Sequence, residues 1–390
     1  MKKYLYILLL INLLYSCKGN KNKTAILTAV QSIVEHTRVD VLPDRRDAVF
    51  EVKAEVKNQK IYLSGQTDKP DFKDKLLNRL KKEHIEFVDS IRILPVEKFK
   101  NITGITRLSV ANLRAKAKHS AELVTQTLMG MPLVILDEKN DFFRVKTPEG
   151  YYAWVDAAAV QLMNKQAYLK WKNLPKIITT SFYGKILQKP DNVAKPVSDF
   201  VLNDVLALIK EQKTYSLIQY PDGRKGYINN EFFIKLDEFT GTNHSYATPY
   251  DVVNFAEDYL GIPYLWGGTS VKGLDCSGFS KNVYAQVGFL LPRDASQQVK
   301  IGKPVNITDD FSQLQPGDLL FFGRIENNKE KITHVAIHID KGRIIHATGE
   351  VKIESLNPDD TDFNPDRKKS LLQARRIFGN YPQNFDRIYR

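Results

Sequence analysis

Cysteine is nearly absent from this chain: Cys17 and Cys276 are the only two in 390 residues. That scarcity excludes a disulfide-stapled scaffold and the Cys-rich spacing of structural zinc modules. Long apolar runs are missing too. The one candidate, Tyr4 to Tyr15, is too short to span a bilayer comfortably, and no other segment could cross a membrane. Acidic residues are in deficit, 45 against 57 Lys plus Arg, for a formal charge of +12. Such an excess suits an anionic partner: nucleic acid, a membrane surface or an acidic cell-wall polymer. The basic residues are spread along the chain and form no stripe with interleaved aromatics, so nucleic acid is not the expected partner. What is present, 43% hydrophobic and 26% charged residues, belongs to a soluble globular protein. At this length two to four domains are expected.

The N-terminus, "MKKYLYILLLINLLYSC", has a basic start and a short apolar run, which reads as a signal peptide over 1–16. Leu14-Tyr15-Ser16-Cys17 resembles the lipobox of bacterial lipoproteins. The resemblance implies cleavage before Cys17, lipidation of its thiol, and a polar tether over 17–23. The chain is then expected in the cell envelope, lipid-anchored to a membrane, facing the periplasm and monomeric. The alternative is an ordinary secretory signal with a coincidental cysteine. If Cys17 is acylated, Cys276 has no intramolecular partner. A lone thiol in an oxidising compartment is either buried and inert or chemically used.

Residues 24–100 read as a small α/β domain: a hairpin from "AVFEVKAEV" and "KIYLSG", a helix in "DFKDKLLNRLKKEH", and a closing strand in "DSIRILP". No catalytic constellation stands there. A degenerate repeat follows. "TPEGYYAWV" (147–155) and "YPDGRKGYI" (220–228) share Pro-acid-Gly with an aromatic four residues on, Trp154 or Tyr227. Two small β-barrels are expected, over 101–168 and 169–240. The first resembles a bacterial SH3-like domain and the second does so more weakly. Their role is either cell-wall recognition or rigid spacing. Residues 244–390 begin with helices, one opened by a Thr248–Asp251 capping box, and continue with "DLLFFGR", "ITHVAIHID", "GRIIHATG" and "VKIESL". This is an α+β domain with an antiparallel sheet.

In "GLDCSGFS" Asp275 occupies a helix-capping position, which puts Cys276 in the first turn. There the unpaired N–H groups and the helix dipole favour a thiolate, and the same N–H groups can hold an oxyanion. Gly278 is expected to leave room beside the thiol. A nucleophile needs a base and the base an orienting group. Period-two alternation sets His334 and His338 on one face of their strand, and a neighbouring strand brings His346 beside His334. Two other readings are open: a zinc site from Cys276, His334 and His346, or an inert buried thiol.

"PYLWGGTSVKGLDCSGFS", "LQPGDLLFF", "THVAIHI" and "IIHA" resemble the NlpC-type cysteine peptidases, papain-like peptidoglycan hydrolases, over about residues 248–378. The resemblance implies Cys276 as nucleophile, His334 as base, His346 as its orienting partner and Tyr264 beside the scissile carbonyl. His338 stands where the family often has tyrosine; the bland reading is a satisfied histidine. Together with two SH3-like domains the chain is similar to the γ-D-glutamyl-diamino acid endopeptidases. That implies peptidoglycan stem peptides with a free N-terminal L-Ala as substrate. By motif Glu122 and Tyr151 of the first barrel would bind the free amine, with Tyr152 nearly as good a match and plain structural roles as alternatives. Asp294 in "LPRDASQQ" would pair with the same ammonium, and Asp275 and Ser277 would line the pocket. No cofactor or metal is implied. A non-catalytic wall-binding lipoprotein, or an acyltransferase or amidase on the same scaffold, are the competing readings.

Overall fold

The computed structural model describes residues 19–58, 60–243 and 246–389; Cys17 and the signal segment lie outside the described residues. The chain divides into two compact units after Lys100. In the first, strand Phe50–Lys57 pairs antiparallel with Lys60–Thr67, as the alternation over 50–56 requires. Helix Pro70–Lys82 then crosses over to strand Phe87–Ile93, which runs parallel to the second strand. A helix over Gly19–Val41 takes in most of the segment expected as a tether. Val30, Val34, Leu63, Leu76 and Leu80 form this unit's core.

The second unit opens with two seven-stranded antiparallel sheets, from Ile102–Asn164 and from Lys176–Lys235, joined by helix Lys165–Lys172. The degenerate repeat falls on equivalent hairpins: Phe142–Lys146 with Tyr152–Asp156, and Tyr215–Gln219 with Lys225–Asn229. Gly150 and Gly223 take positive φ in their turns, +92° and +87°.

The remaining residues form a helical layer on a six-stranded sheet. Helices α1 (Pro249–Glu257), α2 (Cys276–Gln286) and α3 (Ala295–Gln298) come first. Strands β1 (Lys303–Val305), β2 (Leu319–Glu326), β3 (Lys329–His338), β4 (Arg343–Thr348), β5 (Glu350–Ser355) and β6 (Leu371–Arg376) follow, with helix α4 (Pro365–Lys369) between β5 and β6. Their order in the sheet is β1-β6-β2-β3-β4-β5, all antiparallel. The motifs supplied β2 to β5; the two flanking strands carry no strong alternation. α2 is buried along almost its whole length. Phe279, Val283 and Val287 pack with Val335 and Ile337 of β3 and Ile345 of β4. Each such side chain contributes about 1.5–3 kcal/mol by leaving water. This packing holds the start of α2 against the middle of the sheet.

Candidate active site

Asp275 precedes α2 in extended backbone, and its Oδ1 accepts from the Gly278 N–H at 2.7 Å. That bond caps one of the open donors of the first turn and makes Cys276 the first helical residue. Oδ2 accepts from the Gly267 N–H at 3.0 Å and from Arg293 Nη2 at 2.6 Å, and Arg293 Nη1 lies 3.1 Å from Oδ1. Arg293 is 2% exposed and also donates to Ser277 Oγ at 2.9 Å. Asp275 and Ser277, expected to line a substrate pocket, are therefore engaged largely by Arg293 and by the helix start. Arg293 was not singled out from sequence; its partner is 18 residues away and nothing local announces it. Gly278 also differs from expectation. A side chain there would meet the Gly268 carbonyl at 2.1 Å, so the glycine permits close approach of backbone and does not open space beside the thiol.

Cys276 is 8% exposed, against the core formed by α2 and the sheet. Burial first, then the Asp275 carboxylate, push its thiol up to about 11; the Val335 and Ser277 N–H groups and Arg293 pull the other way. Burial thus outweighs the helix start, and the thiolate expected from sequence is not the resting form. The Val335 N–H places the sulfur against β3, one residue beyond His334.

His334 stands at a β-bulge. Phe322 opposes His334 and Gly323 opposes Ile332, so Thr333 is an extra residue in β3. Bulges re-aim side chains in this way next to active sites. The imidazole rests near the Phe322 ring, centroids 5.8 Å apart. Its Nε2 lies 2.8 Å from Nδ1 of His346, which is fully buried on β4. Behind His346, the Glu354 carboxylate sits 3.1 Å from Nε2, off the line of good hydrogen-bond alignment. Glu354 also receives Lys352 Nζ at 2.6 Å and Asn364 Nδ2 at 3.0 Å. Its contact with His346, then Lys352, holds its carboxyl down at about 2. Burial, followed by His346 and Arg367, holds His334 well below the usual imidazole range. Glu354 was missed in the sequence, where it reads as an ordinary charge on a strand.

This network assigns tautomers. An ionised Glu354 places the His346 proton on Nε2, so Nδ1 accepts from His334 Nε2–H. The His334 nitrogen left as a base is Nδ1. The two imidazoles address each other and Glu354, which leaves the zinc reading without two nitrogens turned to one ion. His338, by contrast, is 1% exposed, with Nδ1 bonded to the Gln315 carbonyl at 2.9 Å and Nε2 3.4 Å from the Gly342 N–H. It is a satisfied histidine that ties a loop to the sheet.

Tyr264 is held by its N–H to the Gly349 carbonyl at 2.8 Å and by a bridge to Leu274. Burial, then the charges at Cys276 and Asp275, push its hydroxyl up to about 12. It stays a donor at neutral pH, within electrostatic reach of Cys276.

The first seven-stranded sheet closes on this site. Glu122 Oε1 accepts from Trp266 Nε1 at 2.8 Å, although Trp266 is 64% exposed. Gln126 and Thr269 exchange hydrogen bonds, Gln126 N to Thr269 Oγ1 at 3.2 Å and Thr269 N to Gln126 Oε1 at 2.9 Å. Glu149 makes a buried ion pair with Lys281 of α2 at 3.0 Å. That pair docks the 147–151 turn on the helix and brings Tyr151 within electrostatic reach of Arg293, as Asp294 also is. Tyr152 belongs to its strand, with Lys146 Nζ 5.2 Å from its ring. Asp294 caps α3 through a reciprocal pair with Gln297.

The comparisons with known proteins agree with this architecture. Residues 261–364 match the NlpC/P60 family and residues 109–161 match the bacterial SH3 domain. A γ-D-glutamyl-L-lysine dipeptidyl-peptidase of Bacillus cereus is 29% identical over 286 residues, covering 69% of this chain and 82% of that one. A probable endopeptidase of Haemophilus influenzae is 37% identical over 125 residues, covering 31% of this chain and 69% of that one. The crystal structure of an NlpC/P60 family protein from Bacillus cereus matches in fold, with a TM-score of 0.59 at 24% identity, over 70% of this chain and 99% of that one. With its cysteine at the head of a buried helix and paired imidazoles on the facing sheet, the chain belongs to the NlpC/P60 family of cysteine peptidases.

Proposed function

We propose that this protein hydrolyses the γ-D-glutamyl–diamino acid bond of peptidoglycan stem peptides, acting on fragments with a free N-terminal L-Ala. The observation that supports the reading is the Cys276 sulfur at the head of α2, against the Val335 N–H one residue beyond His334, with His334 Nε2 2.8 Å from His346. Relatives named γ-D-glutamyl-L-lysine dipeptidyl-peptidase support the choice of bond. The second seven-stranded sheet is, in this reading, a second SH3-like domain that acts as a spacer. The chain works as a monomer in cell-wall turnover, anchored at the envelope through a lipid on Cys17.

The chemistry follows from the resting pair. Thiol and neutral imidazole exchange a proton as the substrate carbonyl arrives: His334 Nδ1 takes the Cys276 proton while sulfur attacks the γ-carbonyl carbon of D-Glu. The oxyanion is met by the Cys276 N–H and the Tyr264 hydroxyl. The tetrahedral species collapses as His334 gives its proton to the departing amine, leaving a thioester. Water, deprotonated by the same nitrogen, hydrolyses the thioester and restores the thiol. Glu122, Tyr151 and Asp294 surround the L-Ala ammonium, whose charge they select.

Mass spectrometry of L-Ala-γ-D-Glu-diaminopimelate, incubated with wild type and with Cys276→Ala, tests this. L-Ala-D-Glu is expected from wild type alone. An intact tripeptide after prolonged incubation with wild type would refute the assignment.

A further inference from the structure

Among the described residues, Arg367 is the one guanidinium that acts on both His334 and His346, and the mechanism does not use it. It lies in α4, partly buried, with its guanidinium 5.2 Å from the centre of the Phe322 ring. Phe322 is in turn the aromatic neighbour of His334. Asn364, which caps α4 by accepting from the Arg367 N–H at 2.9 Å, also donates to Glu354 at 3.0 Å. Arg367 is thus built into the wall behind the imidazole pair, within electrostatic reach of Glu354 and Cys276. Yet its Nε is buried without a hydrogen-bond partner, and its guanidinium makes no ion pair with any described residue. A buried polar atom left without a partner in a native fold calls for an explanation, and a missing ligand is one. A guanidinium lying over an aromatic ring is pre-organised for a planar anion.

The side of the cleft decides which part of a substrate meets it. The acyl group stays on Cys276, on the α2 side, where Asp275, Arg293 and the SH3-like wall stand. The leaving amine departs past His334, which protonates it. Arg367 stands on α4, over the Phe322 ring that neighbours His334. We propose that Arg367 binds a carboxylate of the diamino acid leaving group, and so selects stem peptides that carry a negative charge on that side of the scissile bond. Two sources share this chemistry: the free α-carboxylate of a tripeptide, or the side-chain carboxylate of diaminopimelate. The inference rests on the endopeptidase reading.

Four peptides separate the outcomes: L-Ala-γ-D-Glu followed by lysine, lysine amide, diaminopimelate, or diaminopimelate α-amide. kcat/KM is measured for wild type, Arg367→Ala and Arg367→Lys, with circular dichroism checking the fold and the pH profile recorded for each. Wild type is expected to favour carboxylate-bearing peptides over lysine amide by roughly 10–100-fold, as a charge-assisted contact would give. Arg367→Ala should lose that preference while cleaving lysine amide within about 2-fold of wild type, each measured at its own pH optimum. Whichever of lysine or diaminopimelate α-amide shares the preference names the carboxylate. An equal loss on all four peptides with a displaced pH profile would mean that Arg367 acts only through His334, and would overturn the inference. So would a wild type that cleaves all four alike, with the endopeptidase reading left standing. A wild type inactive on all four overturns both.

Discussion

His346 presents Nδ1 to His334 Nε2 at 2.8 Å and has the Glu354 carboxylate 3.1 Å from its other ring nitrogen. The carboxylate sets the direction of the whole relay. It keeps the His346 proton on Nε2 and thereby the His334 proton on Nε2, so that His334 Nδ1 is the nitrogen left free to take a proton. Glu354→Gln turns an acceptor into a group that can donate. The tautomers then run the opposite way and a proton blocks His334 Nδ1. We expect kcat to fall roughly 10–100-fold, as outer partners of catalytic histidines commonly do, with KM little changed. Glu354→Asp should recover part of the loss. A Gln variant with wild-type kcat would show that His346 orients itself without the carboxylate.

The resting thiol makes a second expectation. With Cys276 pushed up to about 11 and His334 held low, the pair carries no preformed thiolate at neutral pH. Alkylation by iodoacetamide should therefore quicken with each pH unit from 6 to 9, by up to roughly 10-fold per unit, since only the thiolate reacts. A rate flat across that range would mean a preformed thiolate–imidazolium pair. His334→Ala should leave the alkylation trend rising while abolishing turnover, a loss of at least about 10²–10⁴-fold.

Much of this was legible in short motifs, because caps and alternation are local. Asp275 before Cys276 marks a helix start whatever surrounds it, and His334 and His346 each sit in an alternating strand. The parts that escaped are those fixed by register and by distant contacts. Nothing in "THVAIHI" announces the bulge at Thr333 that re-aims His334. Glu354 and Arg367 look like charges on solvated faces, and only the β4–β5 pairing and the α4 turn carry them behind the imidazoles. The thiolate expectation failed for a related reason: the helix start is visible in sequence, but the burial that outweighs it is a property of the packed core. What separates the surroundings of Tyr151 from those of Tyr152 is the Glu149–Lys281 ion pair, which joins residues 132 positions apart (281 − 149).

Acid stability follows from the same burial. His334, His338 and His346 are all held below their ordinary values, by burial first in each case. The folded state thus binds fewer protons at these sites than the unfolded state. Their contribution is full above the unfolded value near 6.5 and is lost as pH falls below it. Glu354, at about 2 in the fold, adds stability above its ordinary value of 4.5 that is lost as pH falls toward 2. Urea unfolding at fixed pH should show stability declining from pH 7 to 4, by about 1.4 kcal/mol per pH unit for each proton taken up. A stability unchanged between pH 7 and 5 would contradict the buried-neutral histidines.

The loop before α2 meets the first SH3-like domain at Gly267. Gly267 has φ +77°, and a side chain there would meet the Leu123 carbonyl at 2.2 Å. Gly267→Ala must therefore strain the backbone and push the loop off the strand that Glu122 directly precedes. The Trp266–Glu122 bond at 2.8 Å lies next to that contact and would open with it. Glu122→Gln is the milder change, since the amide oxygen can still accept from Trp266 but no longer carries charge. If Glu122 holds the substrate ammonium, Glu122→Gln raises KM for L-Ala-γ-D-Glu peptides about 10-fold and leaves kcat within about 2-fold. The N-acetylated peptide, which has no ammonium to lose, should be cleaved poorly and equally by both proteins. Gly267→Ala should raise KM as well and lower the melting temperature by a few degrees, as about 1 kcal/mol or more of strain requires. A Glu122→Gln variant with unchanged KM on the free-amine peptide would reduce the Glu122–Trp266 contact to a structural clasp and shift amine recognition to Tyr151 and Asp294.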